Sequence, residues 1–303
     1  MTDNSFDAPA LRAVAEQLAT EAAEFVARRR AEVFGAIADS GGAPAPGTVR
    51  TKSTPTDPVT IVDTETERWL RERLAVLRPS EAILGEEEGG QQDGRDGLSW
   101  VLDPIDGTVN FVYGIPAYAV SVAAQYDGRS VAGAVANVPA GEVYSAALGH
   151  GAEVVRAGVR TPLRCSAVEE LSMALLGTGF SYDPAQRARQ ATVLAQLLPE
   201  VRDVRRIGSC ALDLCMVAAG RLDAYYEEDV QVWDWAAAAF DRGRGRRHRV
   251  AADGSRRRIR GGLGAGNRRR VARRASRRRY GSLTAARNPT APWHRAAGWP
   301  ARP

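Results

Sequence analysis

Residues 100–111 read WVLDPIDGTVNF, and this stretch decides the fold. Its apolar start predicts a strand that delivers Asp103 at its carboxyl end. Pro104 has no amide hydrogen for further ladder pairing, and Gly107 permits a tight turn. We therefore expect Asp103 and Asp106 to converge at the end of this strand. A single DPxDG segment is more often an ordinary turn, so the neighbouring motifs have to decide between a turn and a site.

Two further acidic motifs flank this stretch. GEEE at 85–88 follows another apolar strand, and WDW at 233–235 opens a helix with Asp234 in apolar surroundings, where an unpaired charge is costly. Carboxylates gathered in one place raise one another's pKa, whereas a hard divalent cation stabilises them, and all-oxygen ligands favour Mg²⁺ or Mn²⁺ over zinc. Alone, these motifs are typical of a solvated loop and a helix cap. Together they predict a metal site.

The hydrophobic periodicity predicts helices and strands without regular alternation. Residues 10–38 read as one long amphipathic helix that a loop at 41–47 ends. Asp63-Thr64 with Glu67 resembles the capping box of a second helix, which Pro79 ends. The strand signals of a predicted antiparallel meander lie at 82–85, 99–103, 119–126, 131–138 and 142–148. Beyond it we expect strands at 173–178, 203–207 and 222–227, and helices at 185–198, at 209–219 and from 234.

The charge of the chain is divided unevenly along its 303 residues. Its 41 Lys+Arg and 36 Asp+Glu give +5, but residues 241–303 hold 20 Arg and two acids, whereas residues 1–240 carry a net charge of −13. The sequence pI of 9.4 would suggest a nucleic-acid or anionic-membrane partner for the whole chain, and it describes neither part.

The remaining composition excludes several classes of protein. Three cysteines without a CxxC pair argue against a disulfide framework and a structural zinc site. No apolar run approaches the roughly 20 residues that span a bilayer. The N-terminus has neither a basic start nor an apolar core of a signal peptide. We expect a cytoplasmic protein that does not enter the membrane.

The motifs together resemble the inositol monophosphatase family, the Mg²⁺-dependent and lithium-sensitive sugar phosphatases, in an actinobacterial type. The resemblance covers roughly residues 10–240 and rests on KSTPTDPVTIVD (52–63), LGEE (84–87), WVLDPIDGTVNF (100–111), RRIGSCALDLC (205–215) and YYEEDVQVWDWAA (225–237). It implies an α+β fold, a layered αβαβα sandwich with the site between its halves. Residues 1–150 would form the α+β half with most metal ligands, and 151–240 an incomplete α/β half.

The resemblance also implies a role for each matching residue. The first metal would be held by Glu86, Asp103 and the carbonyl of Ile105, and the second by Asp103, Asp106 and Asp234. A third, looser ion would lie near Glu86, beside a loop that carries Lys52. Thr108, supported by Asp63, would position the attacking water, with Glu86 as the third catalytic residue. The implied substrate contacts are Asp106, Gly107, Thr108, Ser209, Cys210 and Glu227, with the amides of Gly107 and Thr108 facing the phosphate.

The implied reaction is hydrolysis of a small polyol phosphate by metal-activated water, with two or three Mg²⁺ ions, or Mn²⁺. Inositol 1-phosphate is the first choice and histidinol phosphate the second. Fructose 1,6-bisphosphate and 3′-phosphoadenosine 5′-phosphate are substrates of other relatives. Glu227 and Glu228 could instead be solvated acids at a strand end, and Cys210 and Cys215 read as core residues. Homodimers are common in the family.

The Arg-rich segment 241–303 has two competing interpretations. It is either a basic arm that binds RNA, DNA or an acidic partner, as in an RNA-polymerase accessory factor, or the product of a frameshift near codon 240 that reads GC-rich DNA out of frame. Its small apolar content predicts disorder. Without a following strand to pack against, the helix that carries Asp234 would be short and the second metal site poorly formed.

Overall fold

The computed structural model describes residues 6–40, 47–90, 97–238 and 258–261. Helix α1 spans Ala8–Ser40, as the periodicity predicts, and the predicted loop at 41–47 lies almost wholly outside the described residues. Helix α2 spans Ile61–Leu77 and ends before Pro79 as expected. Its predicted start was wrong, however. Thr60 is the N-cap, and the capping box joins Thr60 to Asp63, because the first apolar residues of the helix already lie at 61 and 62.

The larger sheet begins as the predicted meander and continues beyond it. Within the described residues its order is β10-β9-β8-β7-β6-β5-β3-β4. The strands are β3 (Ala82–Gly85), β4 (Gly89–Gly90), β5 (Leu98–Asp106), β6 (Ala119–Tyr126), β7 (Arg129–Asn137), β8 (Glu142–Ala147), β9 (Gly151–Arg156) and β10 (Val159–Pro162). Neighbouring strands are antiparallel except β3 and β5. The sheet thus runs to Pro162, past the division expected at residue 150. A short hairpin, β1 (Val49–Thr51) with β2 (Pro58–Thr60), precedes α2.

The smaller sheet has the order β12-β11-β13-β14 in the described part of the chain. Its strands are β11 (Leu175–Thr178), β12 (Asp203–Arg205), β13 (Ala224–Glu228) and β14 (Arg258–Gly261). The remaining α-helices are α3 (Thr108–Tyr113), α4 (Pro184–Leu197), α5 (Cys210–Ala218) and α6 (Val232–Trp235). Strands β12 and β13 run parallel to β11, whereas β14 runs antiparallel to β13.

The hydrophobic clusters show how these elements stack in five layers. Helices α1 and α2 cover one face of the larger sheet, where Leu18 and Leu70 pack against Trp100. Its other face meets α5 and α6. The second face of α5 packs on the smaller sheet, with Leu214 against Tyr225. Helix α4 covers the far side of that sheet. This is the αβαβα sandwich that the resemblance implied.

The polypeptide after α6 departs from the expectation in one place. The sequence predicted no strand beyond Asp234, but Arg258–Gly261 pairs with β13, Tyr226 facing Arg260 in the register. Ladder pairing uses backbone groups, and the edge of β13 offers a row of them, so an apolar pattern was not required. The other predictions for 241–303 lie outside the described residues. Among the helices of the described ranges, none has the length and apolar character that a membrane crossing demands.

Candidate active site

The end of β5 brings its two aspartates together as the sequence predicted. The strand continues to Asp106, but its register with β6 shifts between Asp103 and Asp106, where Pro104 interrupts the ladder. Asp103 accepts a hydrogen bond from the amide of Ile105 at 3.0 Å. Gly107 follows with φ of +99°, and a Cβ there would lie 3.0 Å from the carbonyl oxygen of Ala117. Only glycine fits this turn comfortably.

Asp106 joins the two halves of the molecule. Its Oδ2 accepts hydrogen bonds from the hydroxyl of Ser209 and, at 2.7 Å, from the amide of Ala211. Ser209 is the N-cap of α5, so the carboxylate lies at the start of that helix, where backbone amides favour a negative charge. The motif at 205–215 therefore acts on the site through Asp106.

Thr108 and Asp63 form the pair that the resemblance implied. The Thr108 hydroxyl lies 3.1 Å from Oδ1 of Asp63 and 3.0 Å from the carbonyl oxygen of Ile105. Oδ2 of Asp63 accepts the amide of Thr60 at 3.0 Å, so the capping box of α2 also orients the carboxylate toward Thr108. Both Asp63 and Thr108 are buried. The hydroxyl hydrogen can point to either acceptor, and its oxygen is left to accept a bond from a water.

Glu86 and Lys52 meet at the mouth of the site. The Lys52 ammonium lies 2.8 Å from Oε1 of Glu86 and 2.5 Å from Oε1 of Glu87. Burial disfavours the charge of Lys52, but the two carboxylates raise its pKa overall. Lys52 thus lies where the resemblance placed it.

A residue that the sequence did not single out as functional holds the loop of Glu86. Glu67 on α2 is fully buried, and its carboxylate accepts the amides of Glu87 at 2.7 Å and Glu88 at 3.0 Å. Arg71, one helical turn along, pairs with it at 2.8 Å. Gly85 leaves room for this carboxylate, because a Cβ there would fall 2.1 Å from Glu67 Oε1. The signal was an acid next to Leu70 and Leu74 on the buried face of α2, one turn after Asp63.

Asp234 is firmly held although α6 is short. Its Oδ2 accepts the amide of Gln231 at 2.6 Å in a second capping box. Ala236 and Ala237, which follow it, are buried against the larger sheet. The expected short helix is confirmed, and within it a local cap and two buried small residues support Asp234. The quality of the second metal site stays a prediction.

One cavity of about 130 Å³ gathers the motifs between the two sheets. Of the predicted residues it is lined by Glu86, Asp103, Ile105, Asp106, Gly107, Thr108, Ser209, Cys210, Glu227 and Asp234. Asp63 and Lys52 contact two of these lining residues, Thr108 and Glu86, without lining the cavity themselves. Burial, followed by repulsion from neighbouring carboxylates, raises the pKa of Asp103 and Asp234 well above the ordinary range. Burial also raises the pKa of Asp106 to about 6.

The donor set of this cavity fits a hard divalent cation. Glu86, Asp103, Asp106, Asp234 and Ile105 line one space, and the raised pKa values of Asp103, Asp106 and Asp234 agree with a concentration of negative charge there. Within the described ranges, no three His, Cys, Asp or Glu side chains are gathered tightly enough to form a finished cage. Each of the four instead keeps a hydrogen bond from the protein.

Glu227 lines the same cavity. It belongs to β13, its Oε2 accepts the hydroxyl of Tyr225, and burial raises its pKa to about 7. The interpretation of Glu227 as a solvated acid was wrong, because β13 directs it inward. Cys210 and Cys215 are buried on α5, which confirms them as core residues, and Cys210 also reaches the cavity.

Among the cavity residues that the sequence reasoning did not name as site residues, three carry polar side chains of interest for the chemistry: Tyr182, Arg206 and Asp213. Arg206 and Asp213 lie inside a quoted motif but had no role of their own. Asp213 carried a usable signal, since a single acid in the apolar run CALDLC is as costly to bury as Asp234. Tyr182 follows β11 in a loop and gave no such signal.

A five-layer sandwich with a carboxylate-lined cavity between its sheets defines a metal-dependent phosphatase. A sequence model of the inositol monophosphatase family matches residues 7–240 and ends where the Arg-rich segment begins. This chain belongs to the inositol monophosphatase family.

Similar proteins of mycobacteria agree with the actinobacterial type. The chain is 69% identical over 245 residues to the Inositol-1-monophosphatase of Mycobacterium leprae, covering 79% of this chain and 83% of that protein. It is 65% identical over 234 residues to the Inositol-1-monophosphatase SuhB of Mycobacterium tuberculosis strain H37Rv, covering 76% and 80%. The solved structure of Mycobacterium tuberculosis SuhB superposes with a TM-score of 0.74 at 52% identity, covering 90% of this chain and 99% of that one.

Proposed function

We propose that this protein hydrolyses inositol 1-phosphate, or a closely similar polyol monophosphate, to the alcohol and inorganic phosphate. One observation carries the proposal. Acids from three separate segments, at 86, 103–106 and 234, line a single cavity together with Glu227. We call the acids at 86, 103–106 and 234 the metal-facing wall, and Glu227 with its neighbours Ser209 and Cys210 the alcohol wall. A phosphate that faces the acids through cations would leave its alcohol beside Glu227.

The clustered carboxylates support the proposed metal positions. Glu86, Asp103 and the Ile105 carbonyl would hold one Mg²⁺, and Asp103, Asp106 and Asp234 a second, while a third, looser ion would lie near Glu86 and Lys52. When bound, such ions lower the pKa of a water and neutralise charge on the phosphate and the leaving oxygen. Mn²⁺ has the same ligand preferences.

The chain's own contribution to attack lies in Thr108. When its hydroxyl donates to Asp63 or to the Ile105 carbonyl, its lone pairs accept a hydrogen bond from the attacking water and set its direction. Orientation of this kind supplies a large part of the barrier reduction in a bimolecular step. The amides of Gly107 and Thr108 at the adjacent turn would face the phosphate oxygens, as turn amides do for anions.

The other wall selects the alcohol. Glu227 presents carboxylate oxygens that accept hydrogen bonds from hydroxyl groups, and Ser209 and Cys210 lie beside it at the start of α5. A polyol with several hydroxyls matches this polar wall better than an aromatic or alkyl alcohol does. This favours inositol 1-phosphate, which offers several ring hydroxyls, over histidinol phosphate, which has no free hydroxyl.

The test is phosphate release by the full chain from a panel of four substrates: inositol 1-phosphate, histidinol phosphate, fructose 1,6-bisphosphate and 3′-phosphoadenosine 5′-phosphate. We expect the highest kcat/KM with inositol 1-phosphate, complete loss in EDTA, recovery with Mg²⁺ and inhibition by Li⁺. Activity that survives EDTA contradicts the mechanism, and a higher kcat/KM for histidinol phosphate contradicts the substrate assignment. The homodimer and the cytoplasmic location stay predictions.

A further inference from the structure

Asp213 is a buried acid for which the mechanism above has no use. It lies on α5 within the apolar run CALDLCMVA, and its exposed fraction is 1%. No hydrogen bond from the described part of the chain reaches its Oδ1. An unpaired buried carboxyl is expensive, so its presence requires a reason.

The surroundings of Asp213 place it on the alcohol wall of the cavity. It lines the same space as Glu227 and Arg206, and its Oδ1 lies against Gly177 of β11, where a Cβ would come within 3.0 Å. None of the predicted metal ligands hydrogen bonds to Asp213 in the described residues, and Asp106 acts on it only through its charge. Oδ1 is sealed against Gly177, so Oδ2 is the oxygen that can face the other half of the substrate, and no hydrogen bond from the described residues occupies it.

The chemistry of this carboxyl suits a hydroxyl partner. Burial, reinforced by the negative charges of Glu227 and Asp106 and opposed by Arg206, raises the pKa of Asp213 to about 9. At neutral pH the group is a carboxylic acid with one hydrogen to donate and a carbonyl oxygen to accept. Glu227 in its ionised form can only accept. The two acids thus offer complementary hydrogen bonds to adjacent hydroxyl groups.

We propose that Asp213 is a specificity-determining residue that hydrogen bonds a ring hydroxyl of the substrate's alcohol, on the wall that it shares with Glu227. This inference rests on the proposed function. A site that is built to bond a hydroxyl discriminates strongly against alcohols that lack it, because its buried polar group is then left unpaired. Asp213 would separate polyol phosphates from aryl phosphates.

Kinetics with two substrates test the proposal. Inositol 1-phosphate has the hydroxyls, and p-nitrophenyl phosphate lacks them while requiring the same metal-facing wall. Asp213→Leu should raise the KM for inositol 1-phosphate by about 10-fold or more and change the KM for p-nitrophenyl phosphate by less than twofold. Asp213→Asn keeps a donor and an acceptor, and its KM for inositol 1-phosphate should stay within about fivefold of the wild type.

The control is Asp223→Asn, since Asp223 does not line the cavity and accepts the amide of Leu175. The melting temperature of Asp213→Leu should not fall, because an unpaired carboxyl is replaced by an apolar group of similar size. If this variant does not fold, Asp213→Ala carries the same kinetic expectation. Equal increases in KM for both substrates would indicate a structural role. Unchanged kinetics with both would indicate a carboxyl that hydrogen bonds only to buried water. Either result overturns the proposal.

Failure of the proposed function is distinguishable from these outcomes. If the wild type hydrolyses p-nitrophenyl phosphate but not inositol 1-phosphate, the substrate assignment is wrong. The Asp213 variants are then compared on whichever polyol phosphate of the panel the wild type prefers. If the variants show no selective KM increase there, the inference about Asp213 is wrong as well.

Discussion

The acids on the two walls of the cavity differ in the hydrogen bonds that they accept from the protein. On the metal-facing wall each acid has a hydrogen bond from the protein: Glu86 from Lys52, Asp103 from Ile105, Asp106 from Ser209 and Ala211, and Asp234 from Gln231. On the alcohol-facing wall, Glu227 accepts the Tyr225 hydroxyl, whereas the carboxyl of Asp213 has no such donor among the described residues. The first wall holds its oxygens in place before a ligand arrives. The second keeps hydrogen-bonding capacity for the ligand itself.

This difference matches what each wall has to do. Mutual repulsion would drive the metal-facing acids apart, so their positions have to be set by neighbouring groups. The alcohol wall discriminates between molecules, and discrimination depends on polar groups that lack a partner until the right substrate is bound. The comparison therefore predicts catalytic losses for changes on the first wall and selective losses for changes on the second.

The largest effect should follow Asp103→Asn. Asp103 is the proposed ligand of both metals, and the amide keeps its volume but loses its charge. We expect kcat/KM for inositol 1-phosphate to fall by about 10³-fold or more, measured as phosphate release at saturating Mg²⁺. The matched control is Glu88→Gln on the same side of the molecule, where the side chain is 41% exposed and does not line the cavity. That control should stay within twofold of wild type. A loss below tenfold for Asp103→Asn would remove Asp103 from the bridging role.

Thr108→Val tests the orientation of the water with a nearly isosteric change. Removing the hydroxyl breaks the contact to Asp63, and kcat should fall by about 10²-fold while KM changes little. Thr108→Ser retains the hydroxyl and should keep most of the activity. A rise in KM at constant kcat would place Thr108 in substrate binding rather than in the attack, and would weaken the division between the walls.

Most of the metal-facing wall could be predicted from the sequence because its residues lie next to strong local signals. Pro104 and Gly107 bracket Asp106, and the Trp residues around Asp234 mark a buried acid. The overall layers followed from the family resemblance, and the meander from its turns. For these residues, the neighbouring sequence already indicates where the side chain lies in the folded protein.

The alcohol wall was less predictable because long-range packing assembles it. Asp213 reaches the cavity only because α5 packs between the two sheets, and Glu227 points inward only because β13 lies beside β11. Glu67 reaches the amides of Glu87 and Glu88 only because α2 lies beside the end of β3, the strand that precedes them. The start of α2 was misplaced for a related reason, since Asp63-Thr64 and Thr60 both resemble caps and only the fold selects one.

Glu67→Gln tests how Glu67 supports the loop that carries Glu86. The change removes the charge that pairs with Arg71 and offers an amide group to backbone amides that need an acceptor. We expect a loss of about 2–4 kcal/mol in the free energy of unfolding in urea, as for other broken buried pairs. The Mg²⁺ concentration for half-maximal activity should rise about fivefold, with kcat at saturating Mg²⁺ nearly restored. Glu72→Gln, an exposed acid on the same helix, is the control. An unchanged Mg²⁺ dependence would show that Glu67 contributes to stability only and does not position Glu86.

The smallest effect separates the walls by their response to pH. A carboxyl whose pKa is raised in the native state binds more protons there than in the unfolded chain, so its contribution to stability falls as pH rises toward the native pKa. In EDTA this applies to both walls, since the pKa values are about 6 for Asp106, about 7 for Glu227 and about 9 for Asp213. Saturating Mg²⁺ favours the ionised form of its ligands and cancels the dependence on the metal-facing wall.

Between pH 7.0 and 8.5 the free energy of unfolding of the wild type in Mg²⁺ should still fall by about 1–2 kcal/mol more than that of Asp213→Asn, because one proton shift is worth about 1.4 kcal/mol per pH unit. Urea unfolding of both proteins at the two pH values measures this difference. Parallel losses would mean that Asp213 is already ionised at neutral pH. The contrast between the two walls would then fail, because Glu227 already accepts the Tyr225 hydroxyl.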